Sequence, residues 1–142
     1  MSSAVLDVNV VVAAILAPLG TPRQILSAWQ NGYFTLLSSE GIIAQIEEKL
    51  RQPKIGGAYG VTEEDIDWVR GLLLTQAEVV VVAPQEVTEV TGDPEDDYVL
   101  ATTRLGKAKY LVTGDRKLLA LREHSESKII SPRDFLEAIT QL

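Results

Sequence analysis

The sequence predicts one α/β domain over residues 1–142: a five-stranded parallel sheet with helices on both faces, three layers in all. Three observations predict it. Short apolar runs rich in β-branched residues alternate with longer segments of helical periodicity along the whole chain. The first run, Ala4-Val5-Leu6, stops at Asp7 and a second apolar run resumes at Val10, which is the pattern of a buried strand feeding a helix. A chain of 142 residues with 46% apolar and 23% charged residues also has the material for one core. It contains no internal repeat and no low-complexity tract.

The elements follow in order. Ala4 to Leu6 reads as the first strand and Val10 to Leu16 as a helix. Pro18, Gly20 and Pro22 interrupt the pattern, and Thr21 is the natural cap for a second helix that has Pro22 in its first turn and runs to Gln30. Asn31-Gly32 stops it, and Tyr33 to Leu37 is the second strand. Ser38-Ser39-Glu40 opens a third helix with Ile42, Ile43, Ile46 and Leu50 on one face, ending before Pro53. The glycines at 56, 57 and 60 mark a loop. Thr62-Glu63-Glu64-Asp65 opens a fourth helix, with acids suited to its positive end.

Glu78 to Ala83 reads as a buried third strand because it contains the β-branched run Val79-Val80-Val81-Val82. Pro84 to Thr91 is a polar connector, and Asp93-Pro94-Glu95-Asp96-Asp97 opens a helix that continues to Leu105. Lys109 to Val112 is the fourth strand, followed by Thr113-Gly114-Asp115 and a short helix to Leu121. Lys128 to Ile130 is the fifth strand, and Ser131-Pro132 starts a last helix that ends near Gln141.

Composition limits the function classes. Cysteine is absent, so there is neither a disulfide framework nor a thiolate metal site. Met1-Ser2-Ser3 lacks the basic start of a signal peptide, and no apolar run approaches the roughly 18 residues of a membrane span, so no membrane partner and a cytoplasmic location are expected. The net charge of −7 opposes broad electrostatic binding to nucleic acid. It leaves open a nucleic-acid enzyme that gathers acids around a metal, because the ion inverts the local charge.

The acids form the one chemical constellation in the chain. Asp7 follows the first strand, Asp115 follows the fourth, and Asp93, Asp96 and Asp97 open the helix after the third. Parallel strands share a carboxyl edge, where α/β sheets place their ligands. Carboxylates crowded there repel one another, and a hard divalent cation relieves that repulsion. The plainer reading of each acid is a helix cap or a first-turn charge facing the helix dipole.

Asp7-Val8-Asn9 after a first strand, Asp93-Pro94-Glu95-Asp96-Asp97 ahead of Val99-Leu100-Ala101, and Tyr110-Leu111-Val112-Thr113-Gly114-Asp115 together resemble the PIN-domain family. The most similar branch is that of the VapC-like toxin components of toxin–antitoxin pairs. The resemblance covers nearly the whole chain, including Ser39 to Ile55. It implies a five-stranded parallel sheet between helices and cleavage of RNA with Mg²⁺ or Mn²⁺. It further implies Asp7, Asp96 and Asp115 as the catalytic, metal-holding acids, with Asn9 orienting Asp7 and Thr113 supporting the site. Asp93 and Asp97 stand as neighbouring alternatives, and Arg116 and Lys117 as contacts for an RNA backbone. The partners implied are RNA, a cognate antitoxin protein and a second copy of the chain.

The chain departs from the family in the third helix. Where relatives carry a glutamate, counting back from Leu50…Pro53-Lys54 gives Gln45. Glu48, one turn on, is the nearest replacement, although Glu47 and Glu48 read equally as a solvated face. Gln45 therefore supports an alternative, a catalytically weakened module that binds RNA or an antitoxin. His124 is the one histidine, in a polar stretch, so neither a Ser-His-Asp triad nor a His-based mechanism is available. A receiver-like domain would want a phosphoacceptor aspartate after a middle strand, and Val79 to Pro84 ends with none. Trp29 and Trp68 sit among apolar neighbours and read as core or interface.

Overall fold

Strand β1 (Ser3–Leu6) is almost wholly apolar and buried, and it lies inside the sheet rather than at an edge. The structure, a computed structural model, describes residues 1–140. Among these, β1 is followed by α1 (Val8–Leu16), α2 (Thr21–Gln30), β2 (Thr35–Ser38), α3 (Glu40–Arg51) and α4 (Glu63–Gln76). Next come β3 (Glu78–Val79), α5 (Pro94–Leu105), β4 (Tyr110–Val112), α6 (Arg116–Leu119), β5 (Glu123–His124), β6 (Ser127–Ile130) and α7 (Pro132–Thr140). The end of the last helix expected near Gln141 lies outside the described residues.

The sheet order is β3-β2-β1-β4-β6-β5. Every neighbouring pair is parallel except β5 with β6. Right-handed crossovers place the β1-to-β2 and β2-to-β3 helices on one face and the β3-to-β4 helix on the other. Helix α1 packs on α2 and α3, α3 on α4, and α2 on α7. Phe135 of α7 meets Phe34 edge-on at 4.9 Å and Tyr110 at 5.6 Å, which docks the last helix on the sheet. The apolar stripe of α3 lies where its spacing puts it: Ile42, Ile43, Ile46 and Leu50 are at most 1% exposed.

Several expectations are corrected. The sheet has six strands among the described residues, not five, because Glu123–His124 returns against β6 in a two-residue hairpin. Ser125 takes φ 54° in that turn, and Ser125-Glu126 carries none of the Asn or Gly signals that announce such a turn. The third strand is not buried. Only Glu78 and Val79 pair with β2, at the sheet edge, and Val79 and Val81 are 36% and 86% exposed. A β-branched run favours extended backbone, but an edge position leaves its side chains in water. Helix α2 is capped at Gly20, in extended backbone with no side-chain bond, so Thr21 is its first residue rather than its cap.

The start of α3 is held from another helix. Ser39 makes no capping bond with its side chain. Instead the Tyr98 hydroxyl of α5 accepts from Gly41 N–H at 3.2 Å, while Ser39 Oγ and Thr102 Oγ1 lie 2.9 Å apart in the interior. A side chain at Gly41 would begin 2.5 Å from the Tyr98 ring, so glycine there lets the two helices approach.

Candidate active site

The strand order reverses between β1 and β4, since the chain proceeds from β1 to β2 on one side and reaches β4 on the other. Open α/β sheets form a crevice at such a point, outside the carboxyl ends of the strands. Asp7 and Thr113 are the residues that leave β1 and β4 there. Leu6 pairs with Val112, and Asp7 N–H donates to the Val112 carbonyl at 2.9 Å.

Asp7 is 5% exposed. Its Oδ1 accepts from Val8 N–H at 2.8 Å, and its Oδ2 accepts from the Thr113 hydroxyl at 2.7 Å. That hydroxyl oxygen also accepts from Asp115 N–H at 3.0 Å. One fully buried threonine thus ties the first acid to the loop that carries Asp115. Asp115 in turn caps α6, with Oδ1 accepting from Lys117 N–H at 2.9 Å. Asp93 caps α5 through Glu95 N–H at 2.9 Å. The capping role is therefore present at Asp7, Asp93 and Asp115, and at Asp93 and Asp115 it engages one carboxylate oxygen of two.

The acids act on one another through their charges. Burial pushes the Asp7 carboxyl above its ordinary value; the bonds from Thr113 and Val8 oppose this, the charge of Asp115 adds to it, and Lys49 opposes it. Half-buried Asp96 is raised to about 6, first by burial and then by the charges of Asp93, Asp115, Asp7 and Glu95. Asp7, Asp96 and Asp115 thus share one field of negative charge, offset in part at Asp7 by Lys49. Asp97 is built differently. Burial works against its charge, but its Oδ1 accepts from Thr91 N–H at 2.8 Å, the Thr91 hydroxyl at 2.9 Å and Val90 N–H at 3.1 Å. These bonds hold its carboxyl below the usual range. Asp97 anchors the loop before α5.

Helix α3 presents a cation to this edge. Lys49 Nζ donates to Asn9 Oδ1 at 2.8 Å. Asn9 makes no hydrogen bond to Asp7 among the described residues; its side chain is held by Lys49. Gln45, one turn before Lys49, is half-buried. Glu48 is exposed and forms no ion pair or side-chain hydrogen bond among the described residues. Glu47 turns the other way, to Arg70 at 2.7 Å and Arg51 at 3.6 Å. Arg116 and Lys117 stand exposed beside Asp115. Lys49 was not singled out by the sequence; its one sequence signal is its position four residues after Gln45.

The donor set at this edge is oxygen throughout, which suits a hard divalent cation. Among the described residues no three acids or histidines are drawn close enough to enclose an ion by themselves. Asp7, Asp96 and Asp115 could therefore hold one only together with water, as Mg²⁺ prefers. A cleft of about 430 Å³ opens beside Asp115, the one of these three acids in its wall, and is lined also by Asn9, Val10, Ala13, Pro22 and Pro132. A separate cleft of about 410 Å³ includes Arg23, Tyr59 and Trp68 in its walls and shares no residue with the acids. Trp29 is in the core, whereas Trp68 is 57% exposed. No helix among the described residues is long and apolar enough to cross a membrane.

Comparisons with known proteins bear on the fold and the family. The chain is 26% identical over 141 residues to the uncharacterized protein MJ1680 of Methanocaldococcus jannaschii, covering 94% of this chain and 88% of that one. It shares its fold with a chain in the crystal structure of VapBC2 from Rickettsia felis bound to a DNA fragment from their promoter, at TM-score 0.59 and 14% identity over 91% of this chain and 98% of that chain. It also resembles a chain of FitAcB from Neisseria gonorrhoeae, at TM-score 0.50 and 14% identity over 92% of this chain and 98% of that chain. A family profile described as PIN domain matches residues 3–117, and the chain belongs to the PIN-domain family.

Proposed function

We propose that the protein is a metal-dependent endoribonuclease that hydrolyses RNA phosphodiesters and serves as the toxin of a toxin–antitoxin pair. The observation that carries this reading is the Thr113 hydroxyl, which joins the Asp7 carboxylate to the Asp115 backbone at the point where the strand order reverses, with Asp96 within reach of the charge of both acids. Family membership supports a hydrolase acting on nucleic acid, since PIN domains are generally nucleases. The likeness to chains from VapBC2 and FitAcB structures supports an antitoxin partner.

In this reading Asp7, Asp96 and Asp115 hold Mg²⁺ or Mn²⁺. When bound, the ion would supply an activated water and positive charge to offset the negative charge that develops at the phosphodiester. The chain's own groups arrange the site. The Thr113 hydroxyl fixes the Asp7 carboxylate and the Asp115 backbone in one frame. The caps at Asp7 and Asp115 lock both side chains in single orientations. Arg116 and Lys117 meet the phosphates that flank the scissile bond, contacts that position a strand without reading its sequence. The adjoining cleft beside Asn9 and Asp115 has room for the nucleotide at that bond.

The second reading, a binding module for RNA or an antitoxin, draws on one observation: the α3 side chain that bonds at this edge among the described residues is the cation Lys49, on Asn9, and not an acid. One assay separates the two. A pool of end-labelled random-sequence RNA is incubated with the protein in Mn²⁺ or in chelator, beside Asp115→Asn. Cleavage that needs Mn²⁺ and disappears in the variant is the expected result. RNA that is bound but left intact would favour the binding module.

A further inference from the structure

Lys49 is out of place in an acid site, and its surroundings are specific. It sits on α3 four residues after Gln45, so the two share a stripe of the helix. Its ammonium reaches across to α1 and donates to Asn9 Oδ1 at 2.8 Å. Asn9 is two residues beyond Asp7, and the Lys49 charge favours the ionised form of that buried carboxylate. Among the described residues no acid forms an ion pair with Lys49 within 4.0 Å, so its charge is not absorbed by a surface partner. Arg51 and Arg70, by contrast, are both paired with Glu47.

We propose that Lys49 is a positioning residue of the acid edge: its ammonium, seated on Asn9, is a built-in cation that balances part of the carboxylate charge and competes with the divalent ion for it. The proposal rests on the reading of this edge as a metal site and adds a residue to it. An ion arriving at Asp7 meets both the attraction of the acids and the repulsion of Lys49. Affinity for hard cations follows the charge count of the site, so the lysine loosens the metal. Without metal the same lysine stabilises the acids that would otherwise repel one another.

The test compares wild type, Lys49→Met and Lys49→Arg, each full length, by Mn²⁺ calorimetry and by thermal melting in chelator. Lys49→Met is expected to bind Mn²⁺ more tightly by on the order of tenfold, the effect of removing a nearby unit charge through a partly aqueous path. Lys49→Arg, which keeps the charge, is expected to match wild type. Unchanged affinity in Lys49→Met overturns the proposal. So does equal tightening in Lys49→Arg, which would mark a steric rather than an electrostatic effect. If wild type takes up no Mn²⁺, the metal-site reading fails, and the melts in chelator then decide the role of Lys49. A lower melting temperature for Lys49→Met than for Lys49→Arg upholds the built-in cation, and equal temperatures overturn it.

Discussion

Asp7 carries two demands that pull against each other. As the cap of α1 it must be charged or polar, yet its side chain lies in the interior, where burial opposes the charge. Half-buried Asp96, within the first turn of α5, is also opposed by burial and is raised to about 6 by it and by its acidic neighbours. The consequence for stability has a definite sign. In the unfolded chain an aspartate titrates near 3.9, about two units lower. Between these values the unfolded state loses its proton first, so the stability of the metal-free protein falls as pH rises from about 4 to about 6 and stays lower above that. Asp7 adds to the fall with the same sign. Melting temperatures measured against pH in chelator check this: Asp96→Asn should gain on wild type across that interval, whereas parallel curves would remove the raised acid from the account.

Asp97 is the opposite case at the same helix start. Its hydrogen bonds from Thr91 and Val90 keep it ionised and fix the preceding loop. Asp97→Ala should destabilise by about 1–3 kcal/mol in urea unfolding, since it removes a buried carboxylate that accepts three hydrogen bonds from the preceding loop. The two neighbours look alike in sequence. What separates them is which backbone N–H groups each carboxylate meets, and that is decided by a loop conformation rather than by residue type.

At the scale of the element, α3 is where this chain departs from the acids expected of it. Its buried stripe was legible from spacing alone, and Ile42, Ile43, Ile46 and Leu50 occupy it. Its site-facing side was not legible. Glu47 and Glu48 read as a solvated face, while Lys49 read as nothing in particular, because a lysine on a helix is ordinarily in water. Only the approach of α1 and α3 reveals that Lys49 reaches Asn9. Half-buried Gln45 precedes it by one turn. If Gln45 faces the acids, Gln45→Glu adds a charged oxygen ligand and should tighten Mn²⁺ by about 1–3 kcal/mol, the worth of one charge-assisted interaction. Calorimetry on that variant and on Glu48→Gln checks it: tightening in the first with no change in the second is expected, and weakening in Glu48→Gln would move the ligand role to Glu48.

For the molecule as a whole, the alternation of strands and helices carried the architecture, and the parallel sheet follows from it. Two features escaped. Val79 to Val82 advertise extended backbone but not an edge position, and burial depends on what packs outside. The β5–β6 hairpin turns at Ser125-Glu126 without a glycine or asparagine to mark it. The acid edge was legible for a topological reason. Residues that end parallel strands on either side of a reversal in strand order must share a crevice, so Asp7 and Asp115 were fixed once β1 and β4 were neighbours. A net charge of −7 gives this chain little general attraction for a polyanion, so in the proposed function a bound cation would bridge the acidic edge and the anionic substrate. The measurement that bears most directly on this is a Mn²⁺ titration by calorimetry of wild type and Asp7→Asn. Saturable binding in wild type, lost or weakened at least tenfold in a variant that still melts cooperatively, is the predicted result, tenfold corresponding to about 1.4 kcal/mol. The account would be contradicted by no binding in wild type, or by equal binding in both proteins.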